Sequence, residues 1–404
     1  MISKVVSIFN KIPTSSKFKQ DYIWNIVSFG VIGIGGFLLN YSISKEFSAD
    51  VLGVFNILYA LFIVLAHFVG GGIHFSVLES ISKSSIQVKE VLLSGLQSSL
   101  LQSVLVIPIL FVSKGFFSFL FDIPGDEQFI DQILVGIGFF GLNKVFLAAL
   151  NGERRMKLFA LLSSTRIVLL LGSLWIFLTV GVQSNQIFWI FTTTEMGLFV
   201  INCVVSFILR GFSVKQFITA RLIKKHFIHG YKSVVGAIFI EANSRIPIFF
   251  LGFYYPDSIV GIYSFATIFV DGYRQLMNTF RTNVNPILSK RSSLAKAEFQ
   301  NLISKGRNLV YYFLVPVGVL IILGYPFVLI ITGLYDGYST SYIPLIILII
   351  GTMVGVGYGP FSMIFNQTGY PVQQSLLYVG IFLTNLIGNA LLVPFLGMIG
   401  AAIA

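Results

Sequence analysis

Cysteine is nearly absent. Cys203 is the single one in 404 residues, which leaves neither a disulfide framework nor a thiolate metal centre to build on. Charge is scarce too, at 11% of residues, and acids are the scarcer sign, with 16 against 27 lysines and arginines. Soluble domains carry about 25% charged residues. A chain with so little charge, 55% hydrophobic residues and a mean hydropathy of +0.87 cannot cover a water-facing surface. Histidine occurs four times: His67 and His74 are seven apart with no carboxylate or thiol beside them, and His226 and His229 fall in a basic stretch, so no metal constellation emerges. No cofactor signature is present either. The triple glycine run Gly355-Val-Gly357-Tyr-Gly359 before Pro360 follows no strand and reads as a hinge or kink, not as a dinucleotide loop.

What the chain does have is apolar sequence in runs of about 20 residues, the length a helix needs to cross a bilayer. Eleven such spans are expected: 22–43, 51–75, 92–112, 129–150, 158–180, 187–209, 233–252, 258–280, 308–332, 341–365 and 371–393. A twelfth begins at Met398 and is cut short by the end of the sequence. The fold class is therefore an all-α polytopic membrane protein. Twenty-one lysines and arginines fall in the loops of one side, and only Lys45 and Lys114 fall on the other. By the positive-inside rule the basic side, with the N-terminus, is cytoplasmic. This spread over several short juxtamembrane loops also accounts for the net charge of +11 without a nucleic-acid partner; anionic membrane lipids are the partners implied. Residues 1–20, with four lysines and apolar residues near one helical face, form a basic segment suited to a short helix on the lipid surface.

Four bases and three acids remain inside the spans: Lys144, Arg166, Arg245 and Arg274 against Glu195, Glu241 and Asp271. A charge at bilayer depth costs at least about 2.5 kcal/mol on insertion scales, so each needs a partner or water. In the segment from Gly236 to Arg281, counting depth from the flanking polar residues predicts cross-helix ion pairs. Glu241 would lie level with Arg274, and Arg245 with Asp271, alongside the local i,i+4 and i,i+3 pairs. These side chains either lock a bundle or line a polar passage for an anion. Arg245, Arg274, Lys144 and Arg166 are the candidates to face a substrate cavity; Glu241, Asp271 and Glu195 are the candidates for ion pairing or coupling. Lys144 and Arg166 also lie near enough to the basic side to snorkel toward headgroups.

An internal echo divides the chain. Asp50-Val-Leu-Gly53-Val-Phe55 opens the second span and Asp257-Ser-Ile-Val-Gly261-Ile-Tyr263 opens the eighth; Asn151-Gly152 closes the fourth and Asn366-Gln-Thr-Gly369 the tenth. The offset corresponds to six spans, an even number that preserves orientation, so the halves are parallel repeats about an axis along the membrane normal. The expected organisation is a first six-helix lobe at 21–210, a basic cytoplasmic linker at 211–232, and a second lobe at 233–404, incomplete at its end.

The runs ADVLGVF, PDSIVGIYSFATIF, NVNPILSK, FNQTGYPVQ and LVPFLGMIGAAIA resemble the polysaccharide flippases. These are the Wzx-type O-antigen and capsule exporters of the multidrug/oligosaccharidyl-lipid/polysaccharide superfamily. The resemblance covers nearly the whole chain through loose Gly, Pro and aromatic patterns. It implies two six-helix lobes around a central cavity in a bacterial inner membrane. It further implies movement of an undecaprenyl-diphosphate-linked glycan from the cytoplasmic to the periplasmic leaflet, in company with polysaccharide polymerase and chain-length proteins. Two other readings are a cation-coupled multidrug exporter of the same superfamily and a membrane glycan polymerase or ligase. The last would need reactive residues in a sizeable outer loop. The longest such segment, near 113–128, has no His, no Arg and no paired catalytic acid.

Overall fold

The computed structural model describes residues 16–83, 87–120, 128–211, 220–291, 296–367 and 370–404. Most of the expected surface helix at 1–20, part of the linker at 211–232, and the acids Asp122, Asp126 and Glu127 lie outside these residues. All regular structure in the described residues is helical. In chain order the helices are α1 (Ser16–Glu46), α2 (Ala49–Gly70), α3 (Ile73–Lys83), α4 (Val88–Val112), α5 (Lys114–Leu120), α6 (Gln128–Gly152), α7 (Met156–Val180) and α8 (Trp189–Arg210). The second half comprises α9 (Ala220–Tyr254), α10 (Asp257–Arg291), α11 (Lys296–Thr332), α12 (Tyr335–Tyr338), α13 (Tyr342–Gly355), α14 (Ile364–Gln367) and α15 (Pro371–Ile403).

Nine helices among the described residues are long and apolar enough to cross a membrane, and ten if the bent pair within α9 counts as one span. The expected span at 258–280 is also helical, as the first part of α10, but it carries Asp271, Gly272, Arg274 and Gln275 in about one turn. The end of the bundle that holds the basic loops is called the basic end below, and the other the opposite end.

Two of the expected spans are broken. The apolar run at 51–75 hides a stop at Gly71 and Gly72, both with positive φ (52° and 66°), where α2 is capped and α3 begins. The run at 341–365 ends its helix at Gly355 and passes through a short 3₁₀ turn at Gly359–Phe361, the hinge read from the glycines before Pro360. At Gly397 (φ 54°, ψ −130°) the chain reverses, and residues 398–403 run back along α15. A Cβ on Gly400 would overlap the Leu392 carbonyl, and one on Gly388 would sit 3.1 Å from Ala404 Cβ. The expected start of a new helix at Met398 is thus a tight antiparallel reversal.

The two lobes meet along α2 and α10, at the echoed motifs themselves. A Cβ on Gly53 would overlap the Asp257 carbonyl oxygen, and one on Gly261 would overlap the Ala49 carbonyl oxygen. Each repeat's glycine therefore admits the start of the other repeat's helix, a reciprocal contact of the kind a pseudo-two-fold axis produces. Ser48 caps α2 by accepting a hydrogen bond from the Val51 amide at 3.3 Å, and Asp50 and Asp257 sit in equivalent first turns, where an acid favours the helix dipole. Near the same end Tyr338 donates to Ser44 at 2.9 Å, and Phe37 meets Phe269 edge-on at 5.8 Å. Within the first lobe Phe55, Tyr59 and Phe62 stack on Phe191.

Toward the basic end a second set of contacts joins the lobes. His226, fully buried on α9, bonds Ser76 through Nδ1 (2.9 Å) and Ser94 through Nε2 (3.0 Å). Tyr231 donates to Gln102 at 2.6 Å, His229 lies 3.0 Å from Glu79, and a Cβ on Gly72 would overlap the Gly230 carbonyl. Between these two zones of contact lies the space that the charged residues face.

Candidate functional site

α9 and α10 supply the centre of the site. Asn243, Ser244 and Arg245 on α9, together with Thr267, Asp271 and Arg274 on α10, border a cavity of about 490 Å³, closed on its other sides by α13, α15 and the reversed residues 401–404. Asp271 and Arg274 are enclosed by the bundle yet 62% and 46% exposed, because their side chains project into this open space. Arg245 is 19% exposed; its guanidinium lies over the Tyr59 ring of α2, 5.3 Å from the centroid, and its buried Nε has no hydrogen-bond partner.

The ion pairs are local. Arg245 reaches Glu241 at 3.6 Å and Arg274 reaches Asp271 at 3.8 Å, both beyond hydrogen-bond distance. The expected cross-helix pairs, Glu241 with Arg274 and Arg245 with Asp271, are not formed among the described residues. Depth counting assumed that α9 and α10 pack as a hairpin. Instead α2 packs against both, and the cavity separates their charged faces.

The first lobe pairs its charges differently. Arg166 on α7 meets Glu195 on α8. Nε lies 2.7 Å from Oε1, off the hydrogen-bond line, while Nη2 donates to Oε2 at 3.2 Å. Asn143 on α6 donates to both the Glu195 carboxylate (2.8 Å) and its carbonyl (2.9 Å), and Asn202 donates to Asn143 at 3.0 Å. Lys144 lies over Phe140 at 5.1 Å and within electrostatic reach of Arg166, Glu241 and Glu195, so it faces the junction of the two lobes.

Polar spots between helices mostly find each other. Asn56 donates to Asn40 at 3.1 Å, and Asn385 donates to the Asn243 side chain at 3.1 Å and its carbonyl at 2.9 Å, both of the latter at the cavity wall. Tyr59, Asn143 and Asn202 join the site without having been marked by sequence. The signal available for the asparagines was their rarity in apolar helices; for Tyr59 there was none, because an aromatic in a span is ordinary.

Solved structures resemble this arrangement over almost its full length. The lipid II flippase MurJ in an inward closed conformation superposes with a TM-score of 0.74 at 17% identity, covering 94% of this chain and 83% of MurJ. The chain shares the fold of the flippases and exporters. An inward-facing multidrug resistance MATE family transporter of the MOP superfamily gives a TM-score of 0.71 at 16% identity, with 98% and 92% covered. The Vibrio cholerae MATE transporter VcmN gives 0.66 at 13% identity, with 96% and 92% covered. No family model and no curated protein matches the sequence. At these identities the likeness establishes the fold: a multi-pass helical membrane protein with two lobes about a central cavity.

Proposed function

We propose that this protein is a flippase that carries an undecaprenyl-diphosphate-linked oligosaccharide from the cytoplasmic to the periplasmic leaflet of a bacterial inner membrane, for O-antigen or capsule synthesis. The observation that carries the reading is a cavity at bilayer depth whose arginines, Arg245 and Arg274, keep only long contacts to carboxylates while facing open space. A diphosphate and its sugars cannot enter hydrocarbon without losing their hydrogen bonds to water. Guanidinium groups answer both needs, charge and directed donors, and bind phosphate oxygens in a fork. Asn243, Asn385 and Thr267 offer neutral partners for sugar hydroxyls in the same space. No bond is made or broken; the work is alternate exposure of the cavity to the two sides. In this reading the basic loops and the N-terminus lie on the cytoplasmic side, as the positive-inside rule expects. A polymerase and chain-length proteins would receive the product on the other side. The likeness to the lipid II flippase MurJ supports this choice.

A cation-coupled multidrug exporter is the second reading, favoured by the MATE neighbours and by acids at Glu241 and Asp271 that are available for ion exchange. Deleting the gene and restoring it with wild type, Arg245→Glu or Arg274→Glu separates the two. The flippase reading predicts loss of surface polysaccharide, rescued by wild type alone, with drug susceptibility unchanged. Normal glycan with raised drug susceptibility on deletion would establish the exporter instead.

A further inference from the structure

The basic end of α9 has two faces. On one, His226 bonds Ser76 at 2.9 Å and Ser94 at 3.0 Å, and Gly230 and Val234 lie against Gly72, so this face is held by the first lobe. On the other, Arg221, Lys224, Lys225, Ile228, His229 and Lys232 recur at i, i+3, i+4, i+7, i+8 and i+11 and border an open groove of about 410 Å³. All of them except the half-buried His229 are exposed.

His229 turns to Glu79 of α3, with Nδ1 3.0 Å from Oε2. Among the described residues Arg221, Lys224, Lys225 and Lys232 have no ion-pair partner. Three cations of the first lobe at the same end are occupied: Arg155 and Arg210 share Glu153, at 3.3 and 2.6 Å, and Lys157 lies over the Trp24 ring. Like charges three and four residues apart on a helix repel, and an anion seated among them relieves the repulsion. The neighbours of the row say which anion. Ile228, 49% exposed, stands in its middle, Tyr231, 50% exposed, flanks it, and the apolar stretch of α9 begins just beyond Lys232. A free phosphate has no use for an exposed isoleucine. A phospholipid brings phosphate and hydrocarbon together at the depth where lysine and arginine stems lie along apolar surface and their charged ends reach the headgroups.

We infer that this row binds the phosphate of an anionic phospholipid, and that the bound lipid holds the basic ends of the two lobes together. The second part comes from the two faces of one helix. Glu79 of the first lobe orients His229 in the groove, and the contacts to Ser76, Ser94 and Gly72 lie directly behind it. The groove in this form belongs to the joined arrangement, so a ligand that binds it favours that arrangement. The inference is independent of what the central cavity carries.

Two readouts test it, in protein reconstituted into phosphatidylcholine vesicles with or without phosphatidylglycerol as a minor component. First, a benzophenone amino acid at Ile228 captures neighbouring lipid; the control position is Ile208, exposed near the occupied Arg210 at the basic end of α8. The ratio of phosphatidylglycerol to phosphatidylcholine adducts at Ile228 is expected about fivefold above that at Ile208. It falls to the control ratio when Lys224→Gln and Lys225→Gln are combined, and returns with Lys224→Arg and Lys225→Arg. Both lysines are exposed, so these changes leave the packing alone. Second, with Cys203→Ser as background, a cysteine at Ser76, fully buried at the lobe contact, is treated with a water-soluble maleimide. Phosphatidylglycerol should slow its labelling about threefold, and the paired glutamine changes should abolish the slowing. Equal adduct ratios at Ile228 and Ile208, or enrichment that survives the glutamine changes, would overturn the lipid site. If phosphatidylglycerol is not enriched while radiolabelled inorganic phosphate binds through Lys224 and Lys225, the groove takes free phosphate and the lipid assignment falls. Enrichment at Ile228 with labelling at Ser76 indifferent to phosphatidylglycerol would keep the site and overturn its hold on the lobes.

Discussion

The two lobes hold the same kinds of residue in opposite ways. In the first lobe Glu195 is 2% exposed, with Oε1 2.7 Å from Arg166 Nε, and its Oε2 accepts from both Arg166 Nη2 and Asn143, itself held by Asn202. In the second, Arg245 and Arg274 stand 3.6 and 3.8 Å from their acids, with side chains reaching into a cavity. The first cluster spends most of its hydrogen-bonding capacity on the protein, Arg166 Nε and Asn202 Oδ1 excepted, and ties α6, α7 and α8 together. The second leaves capacity unused, which a fold tolerates at bilayer depth only where water or a ligand supplies the missing partners. Intramembrane charge by itself does not single out the proposed route; under this proposal, charge with unused hydrogen-bonding capacity beside open space does.

That contrast can be broken experimentally, and the largest effect is expected in the first lobe. Glu195→Ala strands the Arg166 guanidinium and removes the Asn143 hydrogen bond to the carboxylate, leaving the one to the backbone carbonyl. Breaking a buried pair from one side costs about 3–5 kcal/mol, read as a large loss of thermal stability in detergent; the paired change Glu195→Leu with Arg166→Met should recover most of it. A stability loss as large in Arg245→Gln would erase the distinction between the clusters. Next comes the seam: Gly53→Ala puts a methyl group onto the Asp257 carbonyl and should cost about 1–3 kcal/mol as overpacking, whereas Gly36→Ala, with nothing within 4 Å, should not destabilise. The smallest effect belongs to the second-lobe pairs. Exchanging Glu241 with Arg245 should shift stability by only about 0.3–0.5 kcal/mol, the range of an i,i+4 pair, and exchanging Glu241 with Arg274 should give no mutual rescue in a double-mutant cycle, because those two do not meet.

Much of this architecture was legible in the sequence, for reasons that individual residues make clear. Apolar runs of bilayer length locate the helices because hydrocarbon forces a backbone to satisfy itself internally. The echo of Asp50 to Gly53 in Asp257 to Gly261 marked the seam, because close helix approach demands glycine at both crossing points. The glycines before Pro360 marked a real break in the helix. The stop at Gly71 and Gly72 was hidden, since apolar residues continue past it and hydropathy does not register a change in φ. The partners of the charged residues were hidden for a different reason. Depth follows from counting along one helix, but pairing depends on how neighbours are rotated and on which helix comes between. Arg166 finding Glu195, and a cavity lying between Arg245 and Asp271, are facts of packing that no single helix encodes.

The central claim is that Arg245 and Arg274 border a hydrated chamber that accepts an anion. With Cys203→Ser as background, a single cysteine at Thr267, on the cavity wall, can be treated with water-soluble thiosulfonates of either charge. The account predicts reaction, faster with the anionic reagent than with the cationic one, and slowed by added pyrophosphate in proportion to its occupancy. A Thr267 cysteine no more reactive than one at Phe265, which is fully buried, in protein that is folded and inserted, would contradict it.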